Sequence, residues 1–203
     1  MPGAVGGSGR PPRIGILGGT FDPVHVGHLS AAVEVRAALA LDRMLLVVAN
    51  VPWQKVASRA VTPAEDRFAV VAAAASEVDG LEASRLEIDR GGPSYMADTA
   101  AELAALHPGA GLHLVVGGDI AGELGTWVRG EELCAAVSLV VVSRPGAAAV
   151  LPPPPWRSTA VTIPALDVSS SDLRARAAAG RPLDVLVPPA ALREIRRRGL
   201  YLG

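Results

Sequence analysis

Cysteine is almost absent from this 203-residue chain: Cys134 stands alone, so no internal disulfide can form and a reducing cytoplasm is the natural compartment. A surplus of charge is missing too. Lys and Arg number 19 against 20 Asp and Glu, a formal net charge of -1. That balance gives no electrostatic case for nucleic acid or a membrane surface as a partner. No apolar run approaches the ~20 residues of a membrane span, because charges break the alanine stretches. Met1 to Pro12 is rich in glycine and proline and lacks the apolar core of a signal peptide; residues 1–12 read as a disordered tail. Two common phosphate loops are missing as well. No Gly-Lys-Ser/Thr closes a Walker A loop, and no G-x-G-x-x-G opens a dinucleotide site. Nor does a second cysteine or a further histidine cluster complete a metal site, so no metal ligand is assigned.

What is present is alternation. Half of the chain is apolar, enough for one α/β domain over residues 13–203 with a core of its own. Runs at Arg13–Leu17, Met44–Ala49, Leu81–Ile88, Leu112–Gly117, Ser138–Val142 and Ala160–Ile163 read as strands. Helical patterns cover Gly27–Leu39, Pro63–Glu77, Tyr95–Leu106, Gly130–Ala135, Ser170–Ala179 and Pro188–Arg198. The runs Leu112-His113-Leu114-Val115-Val116 and Leu139–Val142 suit strands buried on both faces. Thr62-Pro63-Ala64-Glu65 reads as a helix start, with Thr62 as cap, proline in the first turn and glutamate at the third position. Strands alternating with helices predict a Rossmann-like, doubly wound parallel sheet, with ligands beyond the carboxyl ends of its strands. The prolines at Pro152–Pro155 read as a surface excursion within that single domain rather than as a linker.

One segment carries the chemistry: Gly18-Gly19-Thr20-Phe21-Asp22-Pro23-Val24-His25-Val26-Gly27-His28. It follows an apolar run and precedes a helical pattern, so it reads as strand, glycine turn, helix. Glycines let the backbone turn tightly and approach a ligand. The helix N-terminus offers unpaired N–H groups and a positive dipole end, which suit phosphate. His25 and His28, three apart, share one side of the helix start. A second constellation, Val168-Ser169-Ser170-Ser171-Asp172-Leu173-Arg174, opens another helix. Serine caps helices and donates to phosphate oxygens, and Arg174 falls one turn in, beside Ser170 or Ser171.

The first segment resembles the signature of the nucleotidyltransferases with an (H/T)-x-G-H core, and its Gly-Gly-Thr-Phe-Asp-Pro lead-in is similar to the bacterial nicotinate-nucleotide adenylyltransferases. The second resembles that family's Ile-Ser-Ser/Ala-Thr-x-x-Arg, with Val168 for Ile and Ser171 for Thr. Two further stretches match. Pro93-Ser94-Tyr95-Met96-Ala97-Asp98-Thr99 resembles the Pro-Ser-Tyr-Thr-x-x-Thr segment that holds the pyridine nucleotide, with Met96 in place of a threonine hydroxyl. Gly117-Gly118-Asp119 followed by Thr126-Trp127 resembles the Gly-x-Asp…Thr-Trp segment whose tryptophan stacks on the pyridine ring.

The resemblance implies transfer of AMP from ATP, with Mg2+, to nicotinate mononucleotide, giving nicotinate adenine dinucleotide and pyrophosphate. It implies His28 at the α-phosphate and His25 and Arg174 at the β- and γ-phosphates, with Ser169, Ser170 and Ser171 nearby. Gly18, Gly19, Thr20 and Phe21 line the nucleotide and acceptor pocket. Asp22 either joins them or caps the turn, and Asp119 meets a ribose hydroxyl or the magnesium shell. On the acceptor side stand Tyr95, Met96, Asp98, Thr99 and Trp127. Asn50, Trp53 and Lys55 follow a strand end, where a ring can stack and a point charge can meet a phosphate. Association of identical chains stays open. So do two other functions: a related transferase acting on pantetheine phosphate or a cytidine nucleotide, and a non-catalytic nucleotide-binding regulator.

Overall fold

Apolar runs without polar alternation are satisfied only when both faces of a strand are covered, and the structure meets that demand with one sheet between two helical layers. The computed structural model describes residues 10–52, 60–122, 124–146 and 149–201. In chain order the elements are β1 (Arg13–Gly19), α1 (Val26–Ala38), β2 (Arg43–Val48), α2 (Ala64–Ala75), β3 (Leu81–Ser84), α3 (Leu86–Arg90), α4 (Met96–Leu106), β4 (Gly111–Gly117), α5 (Gly118–Ala121), α6 (Gly130–Ala136), β5 (Ser138–Ser143), β6 (Ser158–Thr162), α7 (Ser170–Ala178) and α8 (Pro189–Arg198). The six strands pair in the order β3-β2-β1-β4-β5-β6, and every pairing is parallel. This is the doubly wound sheet the alternation predicts.

Period-two side-chain placement divides the core. Met44, Leu46 and Val48 of β2 join Leu29 and Val35 of α1, Val70 and Val71 of α2, Leu173 of α7 and Ile195 of α8 on one face. Leu45 and Val47 point the other way, with Leu114 and Val116 of β4, Leu103 of α4 and Leu133 of α6. The strand order reverses direction between β1 and β4, so the chain leaves these neighbours on opposite sides of the sheet and a crevice opens at their carboxyl ends. β1 ends there at Gly19 and β4 at Gly117.

Several elements differ from expectation. The strand read over Leu81–Ile88 stops at Ser84, where its register with β2 ends opposite Val47. Residues 86–90 close their backbone bonds as a helical turn instead, and Arg85 pairs with Asp89 at helical spacing, 2.7 Å away. β6 begins at Ser158, two residues before the expected start, and its pairing with β5 keeps the excursion around Pro152–Pro155 within one domain. Thr62 does not cap α2: Pro63 holds the cap position without a side-chain bond, and the Thr62 carbonyl accepts from Arg67 at 2.7 Å. Of the expected tail, residues 1–9 lie outside the described residues, and Arg10 pairs with Asp42 at 2.8 Å. The basic run Arg196–Arg198 ends α8, where cations suit the dipole, and its members pair with Asp184, Glu194 and Asp66. Among the described residues, no helix is long and apolar enough to cross a membrane.

Gly15 shows how tightly β1 is packed. A Cβ there would lie 1.9 Å from Met44 Sδ and 2.9 Å from Leu41 Cδ1, both on buried side chains. Overpacking of this kind costs about 1–3 kcal/mol. Gly15→Ala is expected to lower the unfolding free energy by that amount, read as a lower urea midpoint with an unchanged m-value, and a midpoint equal to the parent's would show that Met44 repacks freely.

Candidate active site

Two cavities adjoin at the crevice, and the residues Gly18, Gly19 and Thr20 form part of the wall of both. The first, about 590 Å³, is polar and gathers His25, His28, Ser169, Ser170, Ser171 and Arg174 around the turn after β1. The second, about 310 Å³, is largely apolar and is lined by Leu17, Tyr95, Met96, Trp127 and the carboxyl end of β4, including Gly117.

The polar cavity is assembled from residues at both ends of the chain. β1 delivers the turn Thr20–Pro23, whose Phe21 sits at φ 50, a costly region for a bulky residue. His25 stands at the N-cap of α1 and His28 in its first turn. Their rings lie 3.8 Å apart between centroids, and the Phe21 ring meets His28 edge-on at 5.0 Å. The residue between must be small, because a Cβ at Gly27 would press within 3.1 Å of the His25 ring and of Val168. The His25 backbone N–H donates to His28 Nδ1 at 3.3 Å. A neutral His28 therefore carries its proton on Nε2, as a hydrogen-bond donor.

The opposite wall is the start of α7. Ser169 caps this helix, its hydroxyl accepting from the Asp172 N–H at 3.1 Å and donating to Asp172 Oδ2 at 2.6 Å. Ser170 donates to the Pro23 carbonyl at 2.8 Å. Arg174 donates to the Asp22 carbonyl at 2.6 Å and to Ser171 Oγ at 3.1 Å. The helical spacing read from the sequence thus places Arg174 beside Ser171. The serine hydroxyls mostly hold the wall together and Ser169 takes the Asp172 N–H, so the N–H groups of Ser170 and Ser171 are the first-turn donors of α7 left to face the cavity.

Residues expected around the acceptor divide. Tyr95, Met96 and Trp127 line the apolar cavity. Asp98 and Thr99 do not: Asp98 pairs with Arg129, and Thr99, fully buried, donates to Glu87 Oε1 at 2.6 Å and accepts from Arg90 at 3.1 Å. Asn50 joins the end of β2 to the next wall segment, its N–H donating to Ser94 Oγ at 2.9 Å and its amide to the Gly92 carbonyl at 3.0 Å. Trp53 and Lys55 lie outside the described residues. Asp119 belongs to α5, but its side chain is outside them too. Glu87, which sequence reasoning passed over, is 3% exposed and borders the cavity; no local signal sets it apart from the neighbouring charges Arg85, Asp89 and Arg90. Asp22, 1% exposed, accepts from the Tyr201 hydroxyl at 2.9 Å.

Residues 16–176 match the family model described as cytidylyltransferase-like. A Streptomyces coelicolor protein named "Probable nicotinate-nucleotide adenylyltransferase" is 44% identical over 188 residues, covering 92% of this chain and 100% of its own length. The chain belongs to the nicotinate-nucleotide adenylyltransferase family. A relative of the same name from Corynebacterium kroppenstedtii is 43% identical over 194 residues, 94% of this chain and 92% of its own. Among solved structures, a Plasmodium falciparum nicotinic acid mononucleotide adenylyltransferase complexed with NaAD superposes with a TM-score of 0.74 over 94% of this chain and 97% of its own, at 19% identity. That likeness shows the shared fold.

Within this family member, burial sets the charge of the first histidine. His25 is 7% exposed, and its Nδ1 has no hydrogen-bond partner among the described residues; desolvation pushes its pKa down from the ordinary 6.5 to about 4. His25 is therefore neutral at pH 7. In the unfolded chain it regains its ordinary affinity for a proton. Stability from this group is full above pH 6.5 and is lost as pH falls from 6.5 towards 4, where only the unfolded chain binds the proton. A shift of that size corresponds to about 3 kcal/mol at the acid end. His25→Gln is expected to lose correspondingly less stability than the parent between pH 7 and pH 4 in urea titrations; equal losses would assign the acid sensitivity elsewhere.

Proposed function

We infer that this protein transfers the adenylyl group of ATP to nicotinate mononucleotide, forming nicotinate adenine dinucleotide and pyrophosphate in NAD biosynthesis. The observation that carries the reading is the pair of cavities with a common glycine wall. One suits a polyphosphate by its imidazoles, guanidinium and helix N-terminus. The other suits a planar ring by its aromatic, apolar lining. A phosphate on the ring-bearing nucleotide would reach the α-phosphate of ATP across Gly18–Thr20. The curated relatives carry the matching name, and a second solved structure of the Plasmodium falciparum enzyme, TM-score 0.72 at 19% identity over 94% of this chain and 97% of its own, is complexed with APC.

The chemistry asks for alignment rather than for a base. The second pKa of a phosphate monoester is about 6, so the acceptor is largely a dianion at neutral pH. One of its oxygens attacks the α-phosphorus in line, the bond to the bridging oxygen breaks, and pyrophosphate leaves with the electron pair. We assign His28 Nε2–H to the α-phosphate oxygens, where negative charge is stabilised by a preorganised donor. Arg174, His25 and the first-turn N–H groups of α7 take the β- and γ-phosphates. Tyr95, Met96 and Trp127 hold the acceptor ring, and the N–H of residue 96 replaces the hydroxyl that Met96 lacks.

Among the described residues no three His, Cys, Asp or Glu side chains converge to hold a metal, and the donor set facing the polar cavity suits phosphate oxygens. Magnesium would be carried on the triphosphate, whose oxygens would supply most of its ligands, and would there offset charge on the departing pyrophosphate. We place the reaction in a reducing cytoplasm, which the single, buried cysteine supports.

Pyrophosphate release from ATP tests the reading. Release is expected with nicotinate mononucleotide and not with pantetheine phosphate; ATP binding without release under any acceptor would instead support a nucleotide-sensing protein. In the same assay His28→Ala is expected to lower turnover at least ~100-fold, the range for one preorganised donor, and near-normal turnover would refute its assignment.

A further inference from the structure

We propose that Arg67 and Tyr201, neither of which lines a substrate cavity, are positioning residues that together hold the Thr20–Asp22 turn in the geometry adenylyl transfer needs. The inference rests on the adenylyl-transfer reading and extends it to residues outside every family motif.

Arg67 lies in α2 and is 1% exposed. Its Nη1 donates to the Thr20 carbonyl at 2.7 Å, its Nε to the Thr62 carbonyl at 2.7 Å and its Nη2 to the Asn50 carbonyl at 3.1 Å. These acceptors belong to three segments: the turn after β1, the end of β2 and the approach to α2. Burying a guanidinium is costly unless it is hydrogen-bonded. Its planar, always-charged fork fixes the direction of each bond, which a flexible ammonium does not. One side chain therefore locks three loop carbonyls to one plane, and Thr20 is part of the wall common to both cavities.

Tyr201 closes the clasp from the other end of the chain. Its hydroxyl donates to Asp22 Oδ1 at 2.9 Å and also meets Thr62. Residues 20 and 22 flank Phe21, whose φ of 50 persists only where its surroundings over-determine it. Arg67 fixes the residue before it and Tyr201 the residue after it. Released, Phe21 relaxes towards negative φ, and its ring leaves the edge of His28 that it now meets at 5.0 Å. Each substrate keeps its own cavity, but their alignment across the common wall is lost. Misplacement of this kind lowers kcat by up to ~100-fold and leaves each KM nearly unchanged.

The test is steady-state kinetics on Arg67→Lys and Tyr201→Phe, with ATP and nicotinate mononucleotide varied in turn. Measurements are made well below each variant's unfolding midpoint, with the folded fraction read by circular dichroism. Lysine keeps the charge and loses the fork; phenylalanine keeps the ring and loses one oxygen. The expected result is a kcat per folded molecule lowered ~10- to 100-fold in Arg67→Lys and ~3- to 10-fold in Tyr201→Phe, with both KM values within ~threefold of the parent. A residue whose folded variant keeps the parent kcat has no positioning role. So too if KM rises for one substrate while kcat holds. If Arg67→Lys does not fold, Tyr201→Phe decides alone, and parent-like turnover there overturns the proposal. A parent protein that releases no pyrophosphate with nicotinate mononucleotide fails the function reading itself, before any variant is compared, and this inference falls with it.

Discussion

Everything at this site depends on donors from α7 reaching the turn after β1. Arg174 and Ser170 satisfy the carbonyls of Asp22 and Pro23, residues 152 and 147 positions earlier. Both bonds are short, at 2.6 and 2.8 Å, and one has a charged donor, which strengthens it. The same contact that closes the fold's ends together thereby builds the polar cavity, so the cavity and the tertiary structure are not separable here. The sheet makes that closure feasible: β1 sits at its centre, where the order reverses, and the chain returns through β6 to set α7 above the β1 turn.

Such a cavity faces an electrostatic difficulty before ligand arrives, since cations gathered in one place repel. The structure limits the repulsion without giving up donors. Burial keeps His25 neutral at pH 7. His28 spends Nδ1 on a backbone N–H, which leaves the donor on Nε2 of a neutral ring. Arg174 is the permanent charge, and two of its donors are committed to the protein. Asp22, an acid in a cavity suited to an anion, is turned inward onto Tyr201. Burial and the neighbouring Asp22 charge push the Tyr201 phenol well above its ordinary range, so it remains a donor to that carboxylate.

Legibility in the sequence followed the range of the interaction. Strands with both faces buried were readable from Leu112–Val116 and Leu139–Val142 because burial is a local pattern. The cavity-forming turn was readable because its glycines and histidines lie together in one motif, and α7 because Ser169 and Arg174 keep helical spacing. β3 was overextended because the alternation of Leu86, Glu87 and Ile88 does not reveal where a neighbouring strand ends. Arg67 was invisible: its partners lie 47, 17 and 5 residues away, and only the topology brings them together. Asp98 and Thr99 failed for a different reason. The segment reaches the cavity as expected, but α4 begins at Met96, and ~100° of turn per residue carries the later positions away from it.

Met96 is where local departure and site geometry meet. Its terminal methyl lies 2.5 Å from where a Cβ of residue 18 would stand, so the side chain occupies the space that Gly18 leaves open. A threonine at this place would offer a hydroxyl and less bulk; methionine offers a polarizable chain that packs on a ring. The backbone N–H groups on this side of the apolar cavity belong to the α4 N-terminus, where Asp98 sits in the first turn. Arg129 pairs with that carboxylate, and Arg129 directly follows the segment bearing Trp127 and Val128, both of which line the cavity. The ion pair therefore joins two walls of the apolar cavity while it offsets the one acidic group in the first turn of α4. A neutral residue at position 98 would remove that charge but also the link between the walls, which is why the pair rather than either partner alone is the unit that shapes this cavity.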